Sequence, residues 1–140
     1  MQSKEKNDLI LARFFPGENV IEELKNVCFK HHIKTGVVLS ALGQLAQCEL
    51  GFFKEKGNYL NQKFESPYEL LSLTGIMSGA GDNYDFHLHA TLAGPDKSVR
   101  GGHLINGVVS VTLEIAIMKS AIQIKRILEE DTGLKGLFLH

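Results

Sequence analysis

Three histidines carry the most specific chemistry in this chain. His87 and His89 flank one leucine in the segment Tyr84-Asp-Phe-His-Leu-His-Ala-Thr-Leu92, and His103 follows a Gly101-Gly102 pair. Strict alternation puts Phe86, Leu88, Ala90 and Leu92 on one face of a strand and Asp85, His87, His89 and Thr91 on the other. Gly94-Pro95-Asp96 is turn chemistry, so the chain doubles back as a hairpin and brings His103 alongside the pair. Three neutral imidazoles on one patch of a sheet suit a nitrogen-loving metal, leaving a fourth position for water, a small molecule or an anion. Hydrolysis at such an ion also requires a general base. Asp85, on the histidine face, and Glu114, on a polar strand face, are the candidates by sequence. Asp85 serves equally well to orient an imidazole, and Glu114 to pair with Arg13 or Arg100 at a subunit boundary. Structural roles are the expectation for both carboxylates, and a binding module rather than an enzyme for the chain.

The elements that must position these residues follow in order. Residues 1–8 are polar and read as a flexible N-terminus. Leu9 to Phe15 is a first strand, broken by Pro16-Gly17. From Glu18 to His31, Val20, Ile21, Leu24, Val27 and Cys28 form the stripe of a helix, with Glu22 and Glu23 early and Lys25 and Lys30 late, as the helix dipole favours. The adjacent His31 and His32 point in different directions and read as capping or surface groups. Strands follow over Lys34 to Leu45, Ala46 to Lys54, Tyr59 to Glu65 and Tyr68 to Ser78, with a flexible loop over Ser78 to Asn83 before the histidine strand. Asn106-Gly107 reads as a turn, and Val108 to Met118 as a long alternating strand. Beyond it, Ile122, Ile124, Ile127 and Leu128 give a helical stripe to a C-terminal tail over residues 120–140, on which Lys125 and Arg126, with Lys119, read as a solvated basic face. The fold class is α+β: a largely antiparallel sheet of seven or eight strands, one main helix and a short helical tail.

Bulk properties narrow the function. The chain has 140 residues, 44% of them hydrophobic and 22% charged, with a formal net charge of −1. That is one domain with no basic excess for nucleic acid. No apolar run reaches the roughly 18 residues of a membrane span, and no secretory h-region precedes the first strand. Cys28 and Cys48 form no motif and read as reduced, buried thiols of a cytoplasmic protein. Gly79-Ala80-Gly81 precedes no helix, and no dinucleotide fingerprint is present, so no nucleotide cofactor is expected. The small groups Ser110, Thr112 and Ala116 on one strand face, with Glu114 alone charged, suit burial against a copy of the chain.

Taken together, these segments resemble the plants-and-prokaryotes conserved (PPC) domain. The matching pieces run from Leu11-Ala12-Arg13 and Gly36-Val37-Val38-Leu39-Ser40-Ala41-Leu42-Gly43 through Leu50-Gly51-Phe52-Phe53 and Tyr68 to Gly75. They continue through His87-Leu88-His89, Gly101-Gly102-His103-Leu104 and the last long strand. The resemblance covers residues 9–119. It implies a homotrimer and, at His87, His89 and His103, a metal site near a subunit boundary that takes zinc. Its DNA-binding label belongs to plant members with AT-hooks, and this sequence has no Arg-Gly-Arg-Pro core. The leading reading is therefore a trimeric metal- or ligand-binding module. A DNA-associated regulator without an AT-hook and a hydrolase using zinc-bound water are the alternatives.

Overall fold

Alternating apolar residues become nine strands around one helix in the computed structural model, which describes residues 1–80 and 82–139. The strands are β1 (Gln2–Lys6), β2 (Leu9–Phe14), β3 (Thr35–Glu55), β4 (Asn58–Phe64), β5 (Tyr68–Ala80), β6 (Asn83–Ala93), β7 (Val99–Ser120), β8 (Ile124–Leu128) and β9 (Lys135–Leu139). Seven of them form one antiparallel sheet in the order β1-β2-β7-β6-β5-β3-β4, and β7 also pairs with β3. That extra pairing joins β7, β6, β5 and β3 into a closed ring. The architecture is the expected α+β, a mostly antiparallel seven-stranded sheet with one helix.

The helix α1 (Val20–Lys30) starts where Asn19 Oδ1 accepts from the amides of Ile21 (3.0 Å) and Glu22 (3.1 Å), a cap that satisfies two orphan donors. Its buried stripe of Val20, Leu24, Val27 and Cys28 packs on β2 and β7. Phe14, Leu45, Leu73, Met77, Leu88, Leu92, Leu113 and Ile117 complete the core without solvent exposure worth counting. Burial pushes the Cys28 thiol up to about 12 and the Cys48 thiol to about 11, so both are inert core groups. No helix among the described residues is long and apolar enough to cross a membrane.

Several local expectations give way. The N-terminal residues, expected to be flexible, form β1 instead, paired residue for residue with β2 from Gln2↔Arg13 to Lys6↔Leu9. His31 is the reason: its Nδ1 lies 3.0 Å from Glu5 Oε2 and its Nε2 2.9 Å from Ser3 Oγ. Lys119 adds a bond to Glu5 Oε1 (3.2 Å), and these contacts hold the Glu5 carboxyl below its ordinary pKa. His31 caps the helix as expected but is buried.

The segments 34–45 and 46–54 are one strand, β3. Asn106-Gly107 is no turn but lies inside β7, where the pairing slips from Glu49↔Asn106 to Leu50↔Leu104 and leaves Ile105 as the extra residue of a bulge. A second slip, from Gly43↔Leu113 to Leu45↔Val109, lifts Val111 out to 59% exposure although its alternation partners are buried. Most of the expected loop over Ser78 to Asn83 is strand, since β5 runs to Ala80 and β6 begins at Asn83; residue 81 lies outside the described residues.

The helical tail is also overturned. Residues 124–139 fold as the hairpin β8–β9, from Ile124↔Leu139 to Leu128↔Lys135. Its isoleucines are β-branched and suit a strand, while Gly133 turns the chain at φ 71°, with its amide on Glu129 O at 2.7 Å. Lys119 and Arg126 then belong to different elements, and no common basic face forms.

Candidate metal centre

The histidines meet because of register. β6 and β7 pair with His89 directly opposite His103, and His87 projects from the same face two residues away. On the other side, Thr74 and Ile76 of β5 pair with His89 and His87. Leu88 and Ala90 point the other way into the core, which fixes which face carries the imidazoles. All three donors come from one chain.

One ring nitrogen from each of His87, His89 and His103 lies within 4.8 Å of the others. The Nε2 atoms of His87 and His89 are 3.3 Å apart. Two imidazole nitrogens bound tetrahedrally to zinc at about 2.05 Å from it stand about 3.3 Å apart. The ring centroids are separated by 5.2, 5.5 and 5.6 Å, so all three imidazoles converge on one point. Nitrogen donors without thiolate or carboxylate, in an open patch, fit zinc with a vacant fourth direction.

Desolvation and neighbouring positive charge favour the neutral form of two of the donors, His87 and His103. Burial first, then the neighbouring His89 and Arg126, holds His87 below its ordinary pKa; burial, then His87 and His89, does the same for His103. The sign for stability follows from linkage. A lowered folded pKa means that the unfolded chain takes up protons first, so metal-free protein should lose stability as pH falls through and below about 6.5 and hold it above. Thermal melts from pH 5 to 8 check this. A melting temperature independent of pH in that window for wild type, or unchanged dependence after His87→Asn, would contradict it.

Beside His87 and His103 lies a cavity of about 660 Å³, roofed by the β8–β9 hairpin and lined by Tyr59, Phe86, Ile105, Arg126 and Leu137 among others. Tyr59 sets its ring edge against His103, with centroids 6.0 Å apart. Gly51 makes room for that ring, since a Cβ there would lie 2.2 Å from Tyr59 Cε1.

The other expected site residues separate. Asp85 lines the cavity, but its Oδ1 accepts from Lys135 Nζ at 2.7 Å, which ties the hairpin down rather than orienting an imidazole. Arg13 and Glu114 are cross-strand partners on β2 and β7, in a different cavity with Leu11, Ser40 and Leu42. Arg13 donates to Thr112 Oγ1 (3.1 Å) and lies over the Phe15 ring. Arg100 lines a third hollow beside Leu50 and Gly101. Tyr59 and Arg126 were the residues that sequence reasoning missed as site groups. Neither stands near a histidine in sequence, and only the β3–β4 register and the folded tail bring them in.

The family profile of the Plants and Prokaryotes Conserved (PCC) domain matches residues 1–121. The chain belongs to this family. Among solved structures, the PCC fold here is similar to a plant- and prokaryote-conserved protein from Pyrococcus horikoshii, with 28% identity and a TM-score of 0.80 over 96% of this chain and 93% of that one. It is similar to a metal-containing protein from Archaeoglobus fulgidus at 25% identity and a TM-score of 0.83, over 96% and 95%. A candidate DNA-binding protein from Bacteroides thetaiotaomicron shares the fold with a TM-score of 0.90 at 23% identity, over 98% and 96%. The PCC domain also aligns with the bifunctional protein GlmU of a Synechococcus strain, 33% identical over 77% of this chain, and spans only 16% of that protein's length.

Proposed function

We propose that this PCC protein is a metal-binding module in which His87, His89 and His103 hold a zinc ion whose fourth position opens to the cavity beneath the β8–β9 hairpin. The observation that carries the reading is the cross-strand register that sets three imidazole nitrogens within 4.8 Å. The metal-containing relative from Archaeoglobus fulgidus supports it. Zinc would supply Lewis acidity and an exchangeable position there. Elemental analysis of tag-free protein purified without chelator tests it: about one zinc per chain is expected. Protein that carries none and takes up none on dialysis sinks the reading.

Binding rather than hydrolysis is the role proposed, because of the two carboxylates that line the cavity Asp85 is paired with Lys135 and Glu129 lies against Gly136. The net charge of −1 gives no electrostatic basis for direct DNA binding.

The module is further proposed to work as a homotrimer. Cross-strand rows Leu11–Ala116–Ser40 and Arg13–Glu114–Leu42 share the sheet face opposite the buried Ala12–Ile115–Ala41 row. Leu11 is 58% exposed and Leu42 54% exposed, with Leu9 and Met118 paired beside them. Exposed apolar side chains, with Arg13 and Glu114 as opposite charges on neighbouring strands, suit a second and third copy of the chain. Leu42→Asp should convert the assembly to monomer in light scattering with zinc content unchanged. A wild-type chain of monomer mass would overturn the trimer.

A further inference from the structure

Arg126 has no part in the zinc ligand set, yet it projects from β8 into the same cavity as His87 and His103. Its Nε and Nη2 are buried and have no hydrogen-bond partner among the described residues. A guanidinium remains charged throughout the physiological range, and unmet donors on a desolvated cation are costly to keep. The carboxylates nearby do not answer it: Asp85 is bonded to Lys135, and Glu129 lies against Gly136, its Oε1 2.5 Å from where a Cβ on that glycine would sit.

We infer that Arg126 is the anion-recognition group of the cavity and that the ligand is a small organic carboxylate, its charged end on the guanidinium and its other end toward the zinc; this rests on the metal reading above. The planar fork of arginine matches a carboxylate with two parallel N–H···O bonds. Phe86, Ile105, Leu134 and Leu137 line the cavity as well, which suits the short carbon skeleton of such a molecule. A phosphate dianion would find one arginine and no helix N-terminus in the same cavity, a weaker match to its charge.

The test uses full-length protein loaded with cobalt(II) in place of zinc, whose visible spectrum reports both metal and ligand. Propionate, malonate and succinate are titrated into wild type, R126Q and R126K. In wild type at least one of them is expected to give a saturable spectral shift. R126Q should keep cobalt stoichiometry and bind that carboxylate at least tenfold more weakly, with R126K between. In the metal-free state R126Q should melt no lower than wild type, since it removes an unmet buried cation rather than a bond. Equal carboxylate affinity in R126Q, tighter binding of inorganic phosphate than of any carboxylate, or a lower melting temperature in R126Q would each overturn the assignment. Wild type that takes up no cobalt would overturn the metal reading itself, and this one with it.

Discussion

His89→Ala is expected to abolish stoichiometric zinc binding and leave the fold and the assembly intact. His89 is exposed on the outer face of β6, between Thr74 of β5 and His103 of β7, so truncating it opens no core cavity. Structural zinc sites contribute about 10–16 kcal/mol over four ligands, so losing one imidazole should weaken zinc by about a hundred- to a thousandfold. Elemental analysis, circular dichroism and light scattering on the same preparation separate the outcomes. Zinc retained at one per chain would exclude His89 as a ligand. A chain that unfolds or dissociates would assign the metal a stapling role instead.

Gly75→Ala should do more damage than any substitution of the histidines. Gly75 sits on β5 opposite Leu88 with φ 150°, and a Cβ there would lie 2.0 Å from the carbonyl oxygen of His87. That contact is with backbone, which cannot rotate away, so β5 and β6 must separate just where His87 is carried. The expected cost is about 2–4 kcal/mol of stability, together with weaker zinc binding. Gly43→Ala is the control: it places a Cβ 2.0 Å from Thr112 O on the far side of the ring and should cost similar stability without touching zinc affinity. Equal zinc affinity in Gly75→Ala and wild type would show that the β5–β6 spacing does not set the site.

The histidine patch was legible because two local signals sufficed: a period of two from Asp85 to Leu92 and a Gly-Pro-Asp turn. The observed pairing His89↔His103 needs nothing else. Helix α1 was legible for a similar reason, since its apolar stripe and its acidic start agree. The tail was not. Ile122, Ile124 and Leu128 fit a period of two as well as the helical spacing they share with Ile127, and the β8–β9 pairing, with Lys135 docked on Asp85 and Lys56 on the carbonyl of Glu130, holds the hairpin. Asn106-Gly107 has hairpin-turn chemistry, but β3 is long enough to hold both flanks of β7 at once, and the pair stays in register beside the bulge at Ile105. Arg126 was read as solvated because nothing in its neighbourhood along the chain hints at the cavity it enters.

The β3–β7 pairing also dictates when the molecule can form. Thr35 is registered with Ser120, and Leu9 with Met118, so the ring closes only between segments from opposite ends of the domain. During synthesis β2, α1 and β3 therefore emerge long before the strand that seals them, leaving Ile10, Phe14 and Val38 without their final partners until β7 has left the ribosome. Loop-closure entropy of that size makes such topologies slow, with refolding in the millisecond-to-second range typical of non-local sheets. The histidine hairpin, in contrast, is local, and β6 can meet the start of β7 early. Donor convergence can thus precede ring closure, and a chain still open at β2 could already present its three imidazoles to a metal.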